Sequence, residues 1–115
     1  MNTTIYGIRN CDTMKKARAW LEERHIDHRF HDYKAEGVDR ARLERWVDAA
    51  GWETVLNRAG TTFRKLDEAE KADLDRERAI ALMLAQPSMI KRPVLETGDR
   101  IVVGFKPDIY ETVFP

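Results

Sequence analysis

Cys11 is the only cysteine among 115 residues, and its neighbours are chemically active in their own right. It sits in T-I-Y-G-I-R-N-C-D-T-M-K-K, with Arg9, Asn10, Asp12 and Thr13 beside it and Lys15 and Lys16 just beyond. The thiolate is the nucleophilic form of cysteine, and nearby cations and the amide-rich start of a helix favour it over the thiol. Many lone cysteines are instead small buried hydrophobes, embedded in apolar neighbours that this stretch does not supply. Arg9 and Lys15 are placed either to lower the thiol pKa or to face water. Asn10 is placed either to donate to the sulfur or to make the turn. A single cysteine allows no internal disulfide, so any mixed disulfide formed here needs an external thiol to resolve it.

The elements that would position this sulfur can be read from the hydrophobic pattern. Thr3, Thr4, Ile5 and Tyr6 have strand chemistry, and Gly7 breaks the run. Met14, Ala17, Trp20 and Leu21 then recur at helical spacing, predicting a helix over 13–24. A weaker second strand is expected over 27–33, with His28, Phe30 and Asp32 on one face and Arg29, His31 and Tyr33 on the other. Asp39 is an expected N-cap, with Val38 placed to staple onto Leu43. Leu43, Trp46, Val47 and Ala50 follow as a helical face that Gly51 ends. Trp52 to Leu56 suggests a further helical turn, and N-R-A-G-T-T-F-R-K-L reads as an exposed loop. Asp67 with Glu70 opens a helical region, of one helix or two, that ends at Pro87. Val94–Thr97 and Arg100–Val103 flank the two-residue Gly98-Asp99 turn of a hairpin, and Pro107 can open a last helix.

A strand, helix and strand followed by a hairpin imply a parallel pair extended by an antiparallel pair. The expected fold is therefore α/β and thioredoxin-like: a mixed four-stranded sheet with a helical insertion between the second and third strands, in one domain over 1–115. Twenty basic residues balance twenty acidic ones, which argues against a nucleic-acid footprint. No apolar run approaches a membrane span, and no secretory signal opens the sequence. A free thiol in such a chain points to the cytoplasm. His25, His28 and His31, without a cysteine pair, do not form an expected metal site. A monomer is expected from the lack of a large apolar stripe.

Y-G-I-R-N-C-D-T-M-K-K-A, F-H-D-Y-K, G-W-E-T-V-L-N-R-A-G-T-T-F-R-K-L, I-K-R-P-V-L and V-G-F-K together resemble the arsenate reductase and Spx-like group. The resemblance is to its small proteobacterial branch, described as glutathione-dependent thiol reductases. It implies that Cys11 is the nucleophile and that Arg58 and Arg92 stand where the first two oxyanion-binding arginines of arsenate reductases are expected. Lys106 stands at the third, as a point charge without the planar fork of arginine. Where those enzymes carry a histidine four residues before the cysteine, this chain has Gly7. Spx-like regulators commonly switch through a C-x-x-C pair, and here the fourth residue is Met14. The resemblance also places a cis proline, common beside the active cysteine of thioredoxin-like folds, at Arg92-Pro93.

These implications make the leading expectation a glutathione-dependent monothiol reductase. Cys11 would form the mixed disulfide, and glutathione would act as co-substrate with no bound cofactor. Asn10, Arg58, Arg92, Pro93 and Lys106 would form the binding site, and the partner would be a small-molecule or protein thiol or disulfide. Two other expectations stand beside it: arsenate reduction, and an Spx-like regulatory protein that binds RNA polymerase without catalysis.

Overall fold

The structure is a computed structural model and describes residues 2–115. These group into two compact units, one formed by the chain up to Glu36 together with Arg92–Pro115, the other by Gly37–Lys91.

The first unit is built on a four-stranded sheet in the order β2-β1-β3-β4. Strand β1 (Thr3–Gly7) runs parallel to β2 (Arg29–Asp32), with Tyr6 opposite His31. On its other side β1 runs antiparallel to β3 (Val94–Thr97), which pairs in turn with β4 (Arg100–Val103). The strand–helix–strand, hairpin pattern of the sequence is thus realised, and the architecture is thioredoxin-like. Thr3 and Thr97 hydroxyls bond across the β1–β3 pair at 2.8 Å, which satisfies two polar groups buried there. Gly98, at φ 59°, supplies the left-handed residue that the tight hairpin requires.

Helix α1 (Asp12–Glu23) connects β1 to β2 and buries Met14, Ala17, Trp20 and Leu21. This face packs with Ile5, Leu95 and Tyr110, the last from the closing helix of the chain, Pro107–Val113. Trp20 and Tyr110 meet edge to face at 5.4 Å, and Phe105 meets Tyr110 likewise at 4.8 Å, the geometry favoured by the aromatic quadrupole.

The expected second strand is shorter than its apolar and aromatic content suggested. It ends at Asp32, whose Oδ1 accepts from the N–H groups of Lys34 (3.0 Å) and Ala35 (3.2 Å). That local cap turns the chain into the single helical turn α2 (Tyr33–Glu36), and Tyr33 becomes fully buried. The expectation that Gly7 breaks the first strand also needs correction, because Gly7 is its last residue and pairs with Asp32.

The second unit is the helical insertion, α3 (Arg40–Ala50) to α7 (Arg76–Ala85), with a 3₁₀ turn at Pro87–Met89. Asp39 caps α3 through the Arg42 N–H at 2.7 Å, and Gly51 ends it at φ 89°. Trp52–Val55 forms the expected turn, α4. The segment expected as an exposed loop instead contains the helical turn α5 (Thr61–Arg64), because Phe63 and Leu66, at helical spacing, are both buried. The region opened by Asp67 is two helices. After α6 (Glu68–Lys71) the chain passes through Asp73 at φ 53°, and Asp75 caps α7 through the Arg78 N–H at 2.8 Å. Leu43, Trp46, Ile80 and Met83 are fully buried here. Outside, Arg76 pairs with Asp48 at 2.9 Å and Arg40 with Glu77.

Gly7 is required for a reason that no turn explains. A Cβ built on it would lie 2.6 Å from Met14 Cε and 3.0 Å from Met14 Cγ, so the first turn of α1 packs directly on the bare backbone of β1. Gly7→Ala is expected to destabilise the protein by about 1–3 kcal/mol through overpacking. In a double-mutant cycle with Met14→Ala, measured by urea unfolding, the two changes should be less costly together than their sum. Strict additivity would show that Met14 is not the neighbour that excludes a side chain.

Candidate active site

Strand β1 ends at Gly7, and the turn Ile8–Asn10 delivers Cys11 to the N-cap of α1. Asn10 adopts φ 59°, a conformation that asparagine tolerates better than most residues, so turn formation is a demonstrable part of its role. Cys11 itself is extended (φ −115°, ψ 126°), and its carbonyl accepts the Lys15 N–H at 3.0 Å. The sulfur makes no short capping bond to the helix. The amides of Met14 and Thr13 nevertheless lie close enough to favour a charge on it, so ionisation would convert the sulfur into the missing cap.

Arg92 approaches the same sulfur from the entrance of β3. Partial burial pushes the Cys11 thiol up, but the Met14 amide, a hydrogen bond from the Arg92 guanidinium, the Thr13 amide and the Arg92 charge together outweigh it. The net effect holds the thiol pKa below its ordinary value. Arg92 is shifted in the complementary direction: burial opposes its charge, and the hydrogen bond to Cys11 with the interactions to Tyr33 more than restore it. The peptide bond between Arg92 and Pro93 is cis, Pro93 is buried, and its carbonyl accepts the Gly104 N–H at 2.8 Å.

Tyr33 completes this group, and the sequence reading placed it only on a strand face. Its phenol oxygen accepts from Arg92. Burial pushes its pKa up to about 12, so it stays neutral and can hold the guanidinium without competing for its charge. An aromatic residue immediately after a capping aspartate, in F-H-D-Y-K, was the available signal. His31, two residues earlier, lies tilted against Tyr6 with ring centroids 4.9 Å apart, and His28 Nδ1 bonds the Ile26 carbonyl at 3.0 Å, so both histidines are engaged locally.

Of the site residues expected from the sequence, Asn10, Cys11, Arg92 and Pro93 belong to the first unit, and the structure joins Cys11 to Arg92 directly. Lys106, also in that unit, is exposed at the N-cap of α8 (Pro107–Val113). Arg58 belongs to the second unit, exposed, with its guanidinium 5.8 Å from the Trp52 ring centroid.

A mixed four-stranded sheet with one cysteine at its first strand–helix junction, and a cis-proline segment carrying a cation to that sulfur, defines a thioredoxin-like protein of the arsenate reductase and Spx-like class. The ArsC family profile matches residues 6–113, and the chain belongs to that family. It is 68% identical to the YFFB protein of known structure, with a TM-score of 0.94 over 96% of this chain and 97% of that one. An arsenate reductase (ArsC) related protein from Brucella melitensis is 60% identical, with a TM-score of 0.78 over 99% of this chain and 95% of that one. The global transcriptional regulator Spx of Streptococcus pyogenes is 27% identical over 107 residues, 91% of this chain and 79% of its own length. The family therefore contains both reductases and regulators.

The contributions that lower the Cys11 pKa can be separated by substitution. Arg92→Gln should raise the pH midpoint of Cys11 alkylation by iodoacetamide and slow alkylation at neutral pH by about tenfold, since hydrogen bonds to charged groups are worth about 1.5–3 kcal/mol. Tyr33→Phe should move the midpoint the same way by less. An unmoved midpoint in Arg92→Gln would show that the guanidinium does not stabilise the thiolate. Because the folded-state pKa lies below the unfolded value, the native state sheds its proton first, and the resulting stability is present above the unfolded pKa near 8.5 and is lost as pH falls through the folded pKa. Urea unfolding of the protein against Cys11→Ser should show the difference in stability rising with pH through that window and levelling above it.

Proposed function

We propose that this protein is a monothiol, glutathione-dependent reductase acting on disulfides or glutathionylated thiols. The observation that carries the reading is the Arg92 guanidinium on the only thiol of the chain, in the field of the first amides of α1. The Cys11 thiolate attacks the glutathionyl sulfur of a substrate disulfide, forming the Cys11–glutathione mixed disulfide. The substrate thiolate leaves and takes a proton from solvent. A second glutathione thiolate then attacks the glutathionyl sulfur, releasing glutathione disulfide and regenerating the Cys11 thiolate. One glutathionylated thiol is reduced and one free glutathione is oxidised per turnover, the other half of the glutathione disulfide coming from the substrate. Arg92 stabilises Cys11 as nucleophile and as leaving group, and Asn10 and Pro93 shape the approach to it. Arg58 and Lys106, assigned by family resemblance, provide charge for anionic groups of the substrate.

Exposure of the protein to glutathione disulfide should add one glutathionyl group at Cys11, seen by mass spectrometry, and excess glutathione should remove it. A thiol titrating at or above about 8.5, with no adduct, would overturn the reductase reading and favour a regulatory role like that of the Spx relatives. An adduct that glutathione cannot remove would also overturn turnover.

A further inference from the structure

A cavity of about 380 Å³ opens beside Cys11 and extends along α1, within the first unit. That volume lies at the lower end of the range typical of small-ligand sites. Cys11, Lys15, Arg18 and Glu22 follow one another at helical spacing along one side of it, with Phe30 and Arg9 completing the charged and aromatic lining. From Cys11 to Arg18 the helix rises about 10 Å, the length of an extended tripeptide.

The charges here differ from those elsewhere on the surface. Arg40, Glu44, Asp48, Arg76 and Glu77 are paired with one another in the second unit. Among the described residues, Lys15, Arg18 and Glu22 are in no ion pair, and Arg9 alone of the cavity cations has one, with Asp32 at 3.7 Å. Arg18 lies over the Phe30 ring at 4.8 Å from its centroid, and its Nε is shielded from solvent with no acceptor. Three cations and one carboxylate line a partly apolar groove that starts at the nucleophile. Arg92, engaged with the sulfur and Tyr33, is drawn away from any carboxylate that a substrate brings.

We propose that this α1 groove is the subsite for the peptide portion of the glutathionyl group. Its two carboxylates meet Lys15 and Arg18, its ammonium meets Glu22, and its backbone packs against Phe30. The assignment rests on the reductase reading above and adds where, and by which charges, the co-substrate is selected. Selection by these cations is electrostatic and therefore salt-dependent.

The test is the ratio of the rate constants with which Cys11 forms mixed disulfides with glutathione disulfide and with hydroxyethyl disulfide, which carries no charge. Taking the ratio cancels any change in the reactivity of the sulfur itself. Arg18→Glu and Lys15→Glu should each lower the ratio by about tenfold, and added salt should lower it in the native protein. Arg18 is half-buried against Phe30, and Lys15, which is exposed, serves as the second variant should Arg18→Glu impair folding. Ratios unchanged in both variants, or rates lowered equally with both disulfides, would overturn the groove while leaving the Cys11 chemistry standing. Failure of the native protein to react with either disulfide would instead remove the reductase reading, and the groove with it.

Discussion

The ease with which one partly buried sulfur gives up its proton is the quantity around which the first unit of this protein is arranged. Burial alone would raise the pKa of Cys11, and two independent pieces of structure outweigh it. One is local, the amides at the start of α1. The other is remote in sequence: Arg92, carried to the same point by the segment that enters β3, and braced by a tyrosine that has no charge of its own. Each depends on the sheet. The β1–β2 pairing fixes where the chain turns at Asp32 to bury Tyr33, and the β1–β3 pairing fixes where Arg92 arrives. The amides are available because β1 ends where it does and the extended Cys11 takes the cap position.

Packing at Gly7 and Met14 explains two of the departures from the family pattern as one. Arsenate reductases of this type are expected to carry a histidine at the position of Gly7, and Spx-like switches carry a second cysteine at the position of Met14. In this protein those positions face each other across the β1–α1 junction, and the methionine occupies the space that a side chain on residue 7 would need. A long apolar side chain at the one position favours glycine at the other. The result is an apolar support behind Cys11 in place of a second polar or redox group.

Much of the fold was legible because it rests on short-range signals. Asp39 and Gly51 bracket α3 as their chemistry dictates, Gly98-Asp99 makes the hairpin, and Pro107 opens the final helix. The misread elements were those in which a tertiary contact overrode a weak local pattern. Phe63 and Leu66 are too few to announce a helix, yet both are buried, and that burial converts a polar loop into a turn of α5. Whether the region opened by Asp67 holds one helix or two was open in the sequence, and the left-handed Asp73 ahead of the Asp75 cap divides it into two.

For the active site the division is sharper. The sequence by itself picked out Cys11 as the candidate nucleophile, its place at a strand–helix junction, the absence of a second cysteine and, through family resemblance, the expectation that Arg92 and Pro93 lie beside it. These follow from residue type and spacing, which act over a few bonds. Only the tertiary structure decided that Arg92 lies on the sulfur and that Tyr33 holds it there. It also decided that the unpaired charges of α1 line a groove beginning at Cys11. Electrostatic energies depend on distances of a few ångströms and on how much water is excluded, and a linear chain records neither until strands far apart in sequence are paired.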